Sequence, residues 1–192
     1  LVKEDTLCPH QDYVYFAFPT KEEQEQLDAF SQQKNALLQQ LTSDPLFCQH
    51  LQTCQALSGQ ISDDELLNEP QYLSATLIFL RSKGIAFPQR FQDLLGAKKL
   101  PAFTLDWLEI LLQGLLFQVP HWYNLPEEYE KQLLHELKAA SLIDRKQIKL
   151  VRNKKQDLLL NQSLGKLNAV REIFKAEYQA LGSQLRQLVL TD

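Results

Sequence analysis

Cysteine and histidine are the residues here with the most specific chemistry, and they recur at a short spacing in two places. Cys8 stands two residues before His10, and Cys48, His50 and Cys54 follow later in the chain. Thiolate and imidazole are the preferred ligands of structural Zn²⁺. On a helix, however, Cys48 and His50 point in different directions, and only His50 and Cys54 share a face. The spacing therefore favours buried thiols and surface imidazoles, and we expect no metal.

Motifs for other catalytic chemistry are incomplete. His135 and Glu136 resemble the start of a zinc-protease helix, but Ala139 stands where the second histidine is required. The acidic run at 63–65 suits the first turn of a helix, where negative charge is stabilised without a metal. The six glycines are isolated from one another, so the chain has no phosphate-binding loop and no dinucleotide fingerprint. We expect a protein that is not an enzyme and that needs no cofactor.

The densest positive charge lies in the segment DRKQIKLVRNKKQDLLL, residues 144–160. As a helix, this segment has no clean apolar stripe at the 3.6-residue period. As two strands, QIKLV and QDLLL flank the polar connection RNKK, whose length is common in hairpins. We predict a small hairpin at about 147–160, and a continuous helix is the alternative. After a helix, such a hairpin would give a winged-helix arrangement, which serves both nucleic-acid and protein binding.

The positive side chains of residues 145–155 can contact a negatively charged partner or can simply keep a surface soluble. Contacts to phosphate would release counterions and make the affinity depend steeply on salt. The chain has a net charge of −4, so any such contact must be local. The segment has no aromatic residue to stack on bases. The candidate contact residues are Lys146, Lys149, Arg152, Lys154 and Lys155.

The composition favours a mainly helical protein. The chain contains 38 Leu and 23 Gln but only 6 Gly, and Leu and Gln are much better helix formers than Gly. A chain of 192 residues can bury about 70% of its unfolded surface, enough for a core of its own. The longest apolar run, near 110–117, is too short to span a bilayer. We expect a multi-helix bundle with no membrane span.

Helix-start signals and prolines divide the chain into three predicted regions. Residues 1–19 form an extended arm, residues 20–118 a helical bundle, and residues 121–192 a helix, the hairpin and a long C-terminal helix. Thr20 and Ser62 each precede a glutamate by three residues, the spacing of a capping box. The most apolar helix should bury five residues: Trp107, Leu108, Leu111, Leu112 and Leu115.

The C-terminal stretch has the pattern of a helix that pairs with another helix. A helix over 164–189 would be about 39 Å long. Its large apolar residues alternate at spacings of four and three, which is typical of a coiled-coil seam, although packing within the chain is the alternative. These residues are Phe174, Tyr178, Leu181, Leu185 and Leu188.

Two aromatic residues between helices form a second candidate interface. Trp122 and Tyr123 follow His121 in a short connection, where they can fill the space between helices or bind a partner. We therefore predict a helical protein–protein interaction module, an adaptor or scaffold, that pairs with another subunit or with itself through the C-terminal helix. A nucleic-acid-binding adaptor using residues 145–155 is the second hypothesis.

Two features of the composition bear on the cellular compartment and on the origin of the chain. Three cysteines are too few for a disulfide framework, which indicates a reducing intracellular compartment, the cytoplasm or nucleus. The sequence has no Met, even at its start, which indicates a fragment of a larger protein.

Overall fold

The computed structural model describes residues 14–96, 99–151 and 154–186, with the side chains of residues 154 and 155 left aside. About 71% of the described residues are helical, and their one sheet has two strands. This confirms the predicted mainly α, multi-helix fold.

Helices follow one another along the described chain with short connections. In chain order, they are α1 (Lys21–Ser43), α2 (Pro45–Gln52), α3 (Gln55–Ser58), α4 (Asp63–Asn68), α5 (Pro70–Ser82), α6 (Gln89–Leu94), α7 (Leu105–Gln113), α8 (Pro120–Tyr123), α9 (Glu127–Ala139), α10 (Lys154–Asn161) and α11 (Leu164–Leu181). A π-helical turn, Gly114–Gln118, extends α7. Strands β1 (Ile143–Asp144) and β2 (Gln147–Ile148) lie between α9 and α10.

The chain divides into two compact units. Residues 28–157 form the central unit, and residues 1–27 with 158–192 form the terminal unit. The predicted regions 1–19, 20–118 and 121–192 remain a prediction. Among the described residues, 14–27 and 158–186 belong to the same unit. Residues 14–20 carry no regular secondary structure ahead of α1.

Side chains cap several helices as the sequence predicts. Thr20 and Glu23 bond reciprocally, with the Thr20 N–H donating to Glu23 Oε2 (2.7 Å) and the Glu23 N–H donating to Thr20 Oγ1 (3.3 Å). The Asp44 carboxylate and the Ser62 hydroxyl accept from backbone N–H groups in the first turns of α2 and α4. At α7, by contrast, Thr104 occupies the N-cap position but its side chain makes no cap hydrogen bond. Each cap satisfies a backbone donor that the helix leaves unpaired.

The core of the central unit forms where α5 and α7 pack together. Leu108, Leu111, Leu112 and Leu115 are almost fully buried, whereas Trp107 is only partly buried at the edge of the core. Close packing continues into the π-helical turn: a Cβ at Gly114 would lie 2.6 Å from the Tyr72 ring. Only glycine allows that approach.

The hairpin forms earlier in the chain than predicted. β1 and β2 pair antiparallel, with Ile143 opposite Ile148, and the turn between them contains Arg145 at φ 51°. The predicted hairpin at about 147–160 is therefore wrong in its second strand, because the residues of QDLLL lie on α10. Ile148 and Leu150 point into the core at the two-residue period of an extended chain, whereas most of QDLLL is exposed.

Candidate interaction surfaces

Two side chains of α7 hold the backbone of the hairpin segment. Gln113 Oε1 accepts the Ile148 N–H (2.9 Å), and Glu109 Oε2 accepts the N–H groups of Leu150 (2.6 Å) and Val151 (3.1 Å). Glu109 and Gln113 are four residues apart and share one face of α7. These bonds satisfy backbone donors that a two-stranded sheet leaves unpaired, and they fix the segment against the helix.

The carbonyl oxygens of the same segment are also engaged. Gln113 Nε2 donates to the Lys146 carbonyl (3.1 Å), and Lys34 Nζ donates to the Leu150 carbonyl (3.1 Å). Nothing in the local sequence around residues 144–151 indicates these partners. The only local signal is the i, i+4 placement of Glu109 and Gln113 on a helix.

The predicted anionic-partner residues are placed unevenly. Lys146 is exposed in the hairpin and Lys149 is half-buried. Arg152 and the side chains of Lys154 and Lys155 lie outside the described residues. The exposed cations that the structure describes on the hairpin are therefore Arg145, which the prediction did not single out, and Lys146.

The aromatic residues between α7 and α9 are core residues. Trp122 is 0% exposed and Tyr123 is 3% exposed. The Trp122 indole donates to Glu65 Oε1 (3.2 Å), and the Tyr123 hydroxyl lies 2.9 Å from Thr76 Oγ1. The candidate interface at Trp122 and Tyr123 is therefore corrected: the two rings fill space between helices, the alternative interpretation.

The Glu65 carboxylate joins α8 to α4 through two side chains of α8. Glu65 Oε1 also lies 2.7 Å from His121 Nε2. Hydrogen bonds from His121 and then Trp122 hold the pKa of the Glu65 carboxyl below its usual value. Glu65 thus uses its side chain to hold α8 and does not return it to Ser62, as a full capping box would.

A cleft of about 340 Å³ lies between the end of α1 and α9. It contains the Asp44 carboxylate, whose Oδ1 caps α2 and whose Oδ2 accepts the Tyr129 hydroxyl (2.7 Å). Burial, followed by the hydrogen bond to Asp44, raises the pKa of the Tyr129 hydroxyl. Both oxygens of this carboxylate therefore hold helices in place.

The described cysteines do not form a reactive or metal-binding site. Cys48 and Cys54 are free thiols, and burial raises the pKa of Cys54 to about 11. Among the described residues, no three His, Cys, Asp or Glu side chains are grouped to hold a metal ion. Cys8 and His10 lie outside those residues.

The first turn of α11 is fixed to the first turn of α1 within the terminal unit. Ser163 caps α11, and Glu23 Oε1 accepts the Leu164 N–H (2.6 Å) while Oε2 accepts the Ser163 hydroxyl (2.8 Å). A Cβ at Gly165 would lie 2.1 Å from the Phe18 carbonyl oxygen, so the arm approaches this turn closely. Glu23 therefore accepts hydrogen bonds at the N-termini of both α1 and α11.

We expect the anchoring of α11 to weaken in acid because Glu23 acts as a carboxylate. Hydrogen bonding, first to the Thr20 backbone, lowers the pKa of Glu23 from its usual value of 4.5. A lowered pKa means that the stabilisation is fully present above pH 4.5 and is lost as the pH falls through the lower folded-state value. In NMR spectra, the Leu164 amide proton should shift with an inflection below pH 4.5, and the inflection should vanish in Glu23→Gln but persist in the control Glu25→Gln. An unchanged titration in Glu23→Gln would contradict this role.

The outward face of α11 carries large apolar side chains. Leu167 is 62% exposed, Phe174 48%, Tyr178 56% and Leu181 47%, and the rings of Phe174 and Tyr178 stack with centroids 6.0 Å apart. Ala169, on the opposite side of the helix, is buried. Together with Arg171, these four exposed residues form a row at alternating spacings of four and three, which we call the α11 seam.

The α11 seam is shorter than predicted. The helix has 18 residues, about 27 Å, and ends at Leu181 before Gly182, whose φ is 54°. Leu185 lies beyond the helix end in an extended conformation, and Leu188 lies outside the described residues. Phe174, Tyr178 and Leu181 are thus the predicted interface residues that share one helical face.

The arm of the terminal unit adds further exposed apolar side chains. Val14 is 80% exposed, Phe16 76% and Phe18 77%. In contrast, Ser163 and Ala169 are the buried residues among those described in this unit. Exposed apolar surface of this kind marks interaction sites in folded proteins.

Comparisons with known proteins add no family to these observations: the chain matches no protein-family model, no curated protein and no solved structure. Within the described part of the chain, no helix combines the length and apolarity that crossing a bilayer requires.

Proposed function

We propose that this protein is a non-enzymatic helical interaction module, an adaptor or scaffold, that binds another protein through the α11 seam. The observation that carries the proposal is the exposure of Leu167, Phe174, Tyr178 and Leu181 along one face of a single helix. An amphipathic helix is stabilised mainly by burying its apolar face. A partner that covers the seam would remove this surface from water.

The fixed first turn of α11 and its aromatic side chains support the same proposal. Glu23 and Ser163 fix its first turn, so the seam is presented on an ordered helix. A surface that is already ordered loses less conformational entropy on binding. Aromatic residues such as Phe174 and Tyr178 are common anchors of binding energy at interfaces.

Photo-crosslinking at Phe174 tests this function directly. With benzoylphenylalanine in place of Phe174, we expect a discrete crosslinked product in lysate of the source cells. The same replacement at Gln179, an exposed residue of α11 outside the seam, should give no such product. Leu181→Asp, with native circular dichroism, should abolish the Phe174 product because it places a charge in an apolar contact.

Equal products from both positions, or none from either, would contradict the proposal.

The second candidate function, nucleic-acid binding, rests on Arg145 and Lys146, which are exposed on a hairpin fixed to α7. If the protein instead binds duplex nucleic acid and Lys146→Glu flattens the salt dependence by about one unit of slope, this second function replaces the first.

A further inference from the structure

An arginine interrupts the α11 seam at its middle. Arg171 is exposed between Leu167 and Phe174, and it makes no hydrogen bond or ion pair with any described residue. The neighbouring Glu172 bonds to Lys175 (2.9 Å), and the pKa of its carboxyl is lowered first by that bond and then, more weakly, by the charge of Arg171. The seam therefore presents, within an apolar row, one positive charge that has no hydrogen-bonded or ion-paired partner among the described residues.

The row matches the a and d positions of a heptad. Leu167, Phe174 and Leu181 take d positions, and Arg171 and Tyr178 take a positions. In a coiled coil, residues at a and d pack into the partner helix and lose their water, so a charge there must be paired. The identity of the residue facing Arg171 thus selects the partner.

The seam of a second copy of this chain offers Arg171 no acidic residue. In a parallel pair, the same a positions face each other, so Arg171 meets the Arg171 of the copy. In an antiparallel pair with full overlap of α11, Arg171 faces Phe174, and the two arginines lie about 4.5 Å apart along the axis. Like charges that lie close together in an interface repel each other, so both arrangements disfavour the pairing of two copies.

We propose that the α11 seam binds an amphipathic helix of a different protein, with an acidic side chain in the layer that meets Arg171. This inference rests on the proposed function and specifies the chemistry of its partner. A carboxylate among apolar a and d residues would pair with the guanidinium, for which bidentate geometry is favourable. The apolar residues on either side would exclude water from that pair.

Two synthetic peptides test the inference. Each is a 21-residue helix with leucine at every a and d position except the central a position, which is glutamate in one peptide and lysine in the other. By fluorescence anisotropy, we expect the protein to bind the glutamate peptide at least tenfold more tightly. Arg171→Glu should reverse the preference, and Arg171→Leu should remove it while both peptides still bind. Lys166→Glu, a charge change on α11 outside the seam, should preserve the preference.

Several results would overturn the inference. Equal binding of the two peptides, or binding of neither, would do so, as would a dimer in sedimentation that Phe174→Asp dissociates. Binding to phosphatidylcholine–phosphatidylserine vesicles that is lost in Phe174→Asp would assign the seam to a membrane surface. If the peptides fail while photo-crosslinking at Phe174 succeeds, the proposed function stands and only the chemistry of the partner is refuted.

Discussion

Replacement of Trp122 by alanine is expected to lower the free energy of unfolding by about 3–5 kcal/mol. The indole is fully buried, so the change removes apolar contacts and leaves a cavity. It also removes the indole N–H that donates to Glu65. Urea unfolding followed by the fluorescence of Trp107, the remaining tryptophan of the central unit, measures the loss.

His121→Ala is the matched control for Trp122. Its side chain contacts the same Glu65 oxygen but is 57% exposed, so we expect only a small change in stability. An interface residue would behave in the opposite way: Trp122→Ala would then leave unfolding unchanged and weaken partner binding. A loss below about 1 kcal/mol would contradict the core assignment.

The second large effect is expected at Leu111, at the contact between α5 and α7. Leu111→Ala should cost about 2–5 kcal/mol because the side chain is 0% exposed and its removal leaves a cavity that neighbouring residues of a packed core fill only in part. Leu105→Ala, on the same helix but 40% exposed, should cost much less. Leu111→Met conserves volume and should cost less than about 1.5 kcal/mol. Tryptophan fluorescence during urea unfolding reports all three, and equal losses at Leu105 and Leu111 would argue against a closed core.

We expect substitutions that lower stability and substitutions that abolish binding to lie in different parts of the chain. Changes at Trp122 and Leu111 act on the central unit, whereas changes at the α11 seam act on residues that are already exposed. Exposed substitutions usually alter stability by less than about 0.5 kcal/mol. Seam variants should therefore remain folded when they lose binding, which makes the proposed function testable without an unfolding artefact.

The sequence by itself determined the features that depend on neighbours within about four residues. Thr20, Asp44 and Ser62 each bond to a backbone group two or three residues away, so their types and spacing predict the helix starts. The apolar period of α7 predicted its burial, and the four-and-three spacing predicted the apolar face of α11. The end of that face at Leu181 was not predicted, because the apolar spacing continues past Gly182 to Leu185 and Leu188.

Only the tertiary structure decided the features whose partners are remote in the chain. The hairpin segment is fixed by Glu109 and Gln113, which are more than thirty residues away, so the alternation of QIKLV and QDLLL could not locate its strands. Trp122 is held at Glu65, 57 residues away, and Glu23 reaches Ser163, 140 residues away. A local pattern shows that a side chain can donate or accept a hydrogen bond, but packing selects its partner because burial leaves few polar atoms within reach.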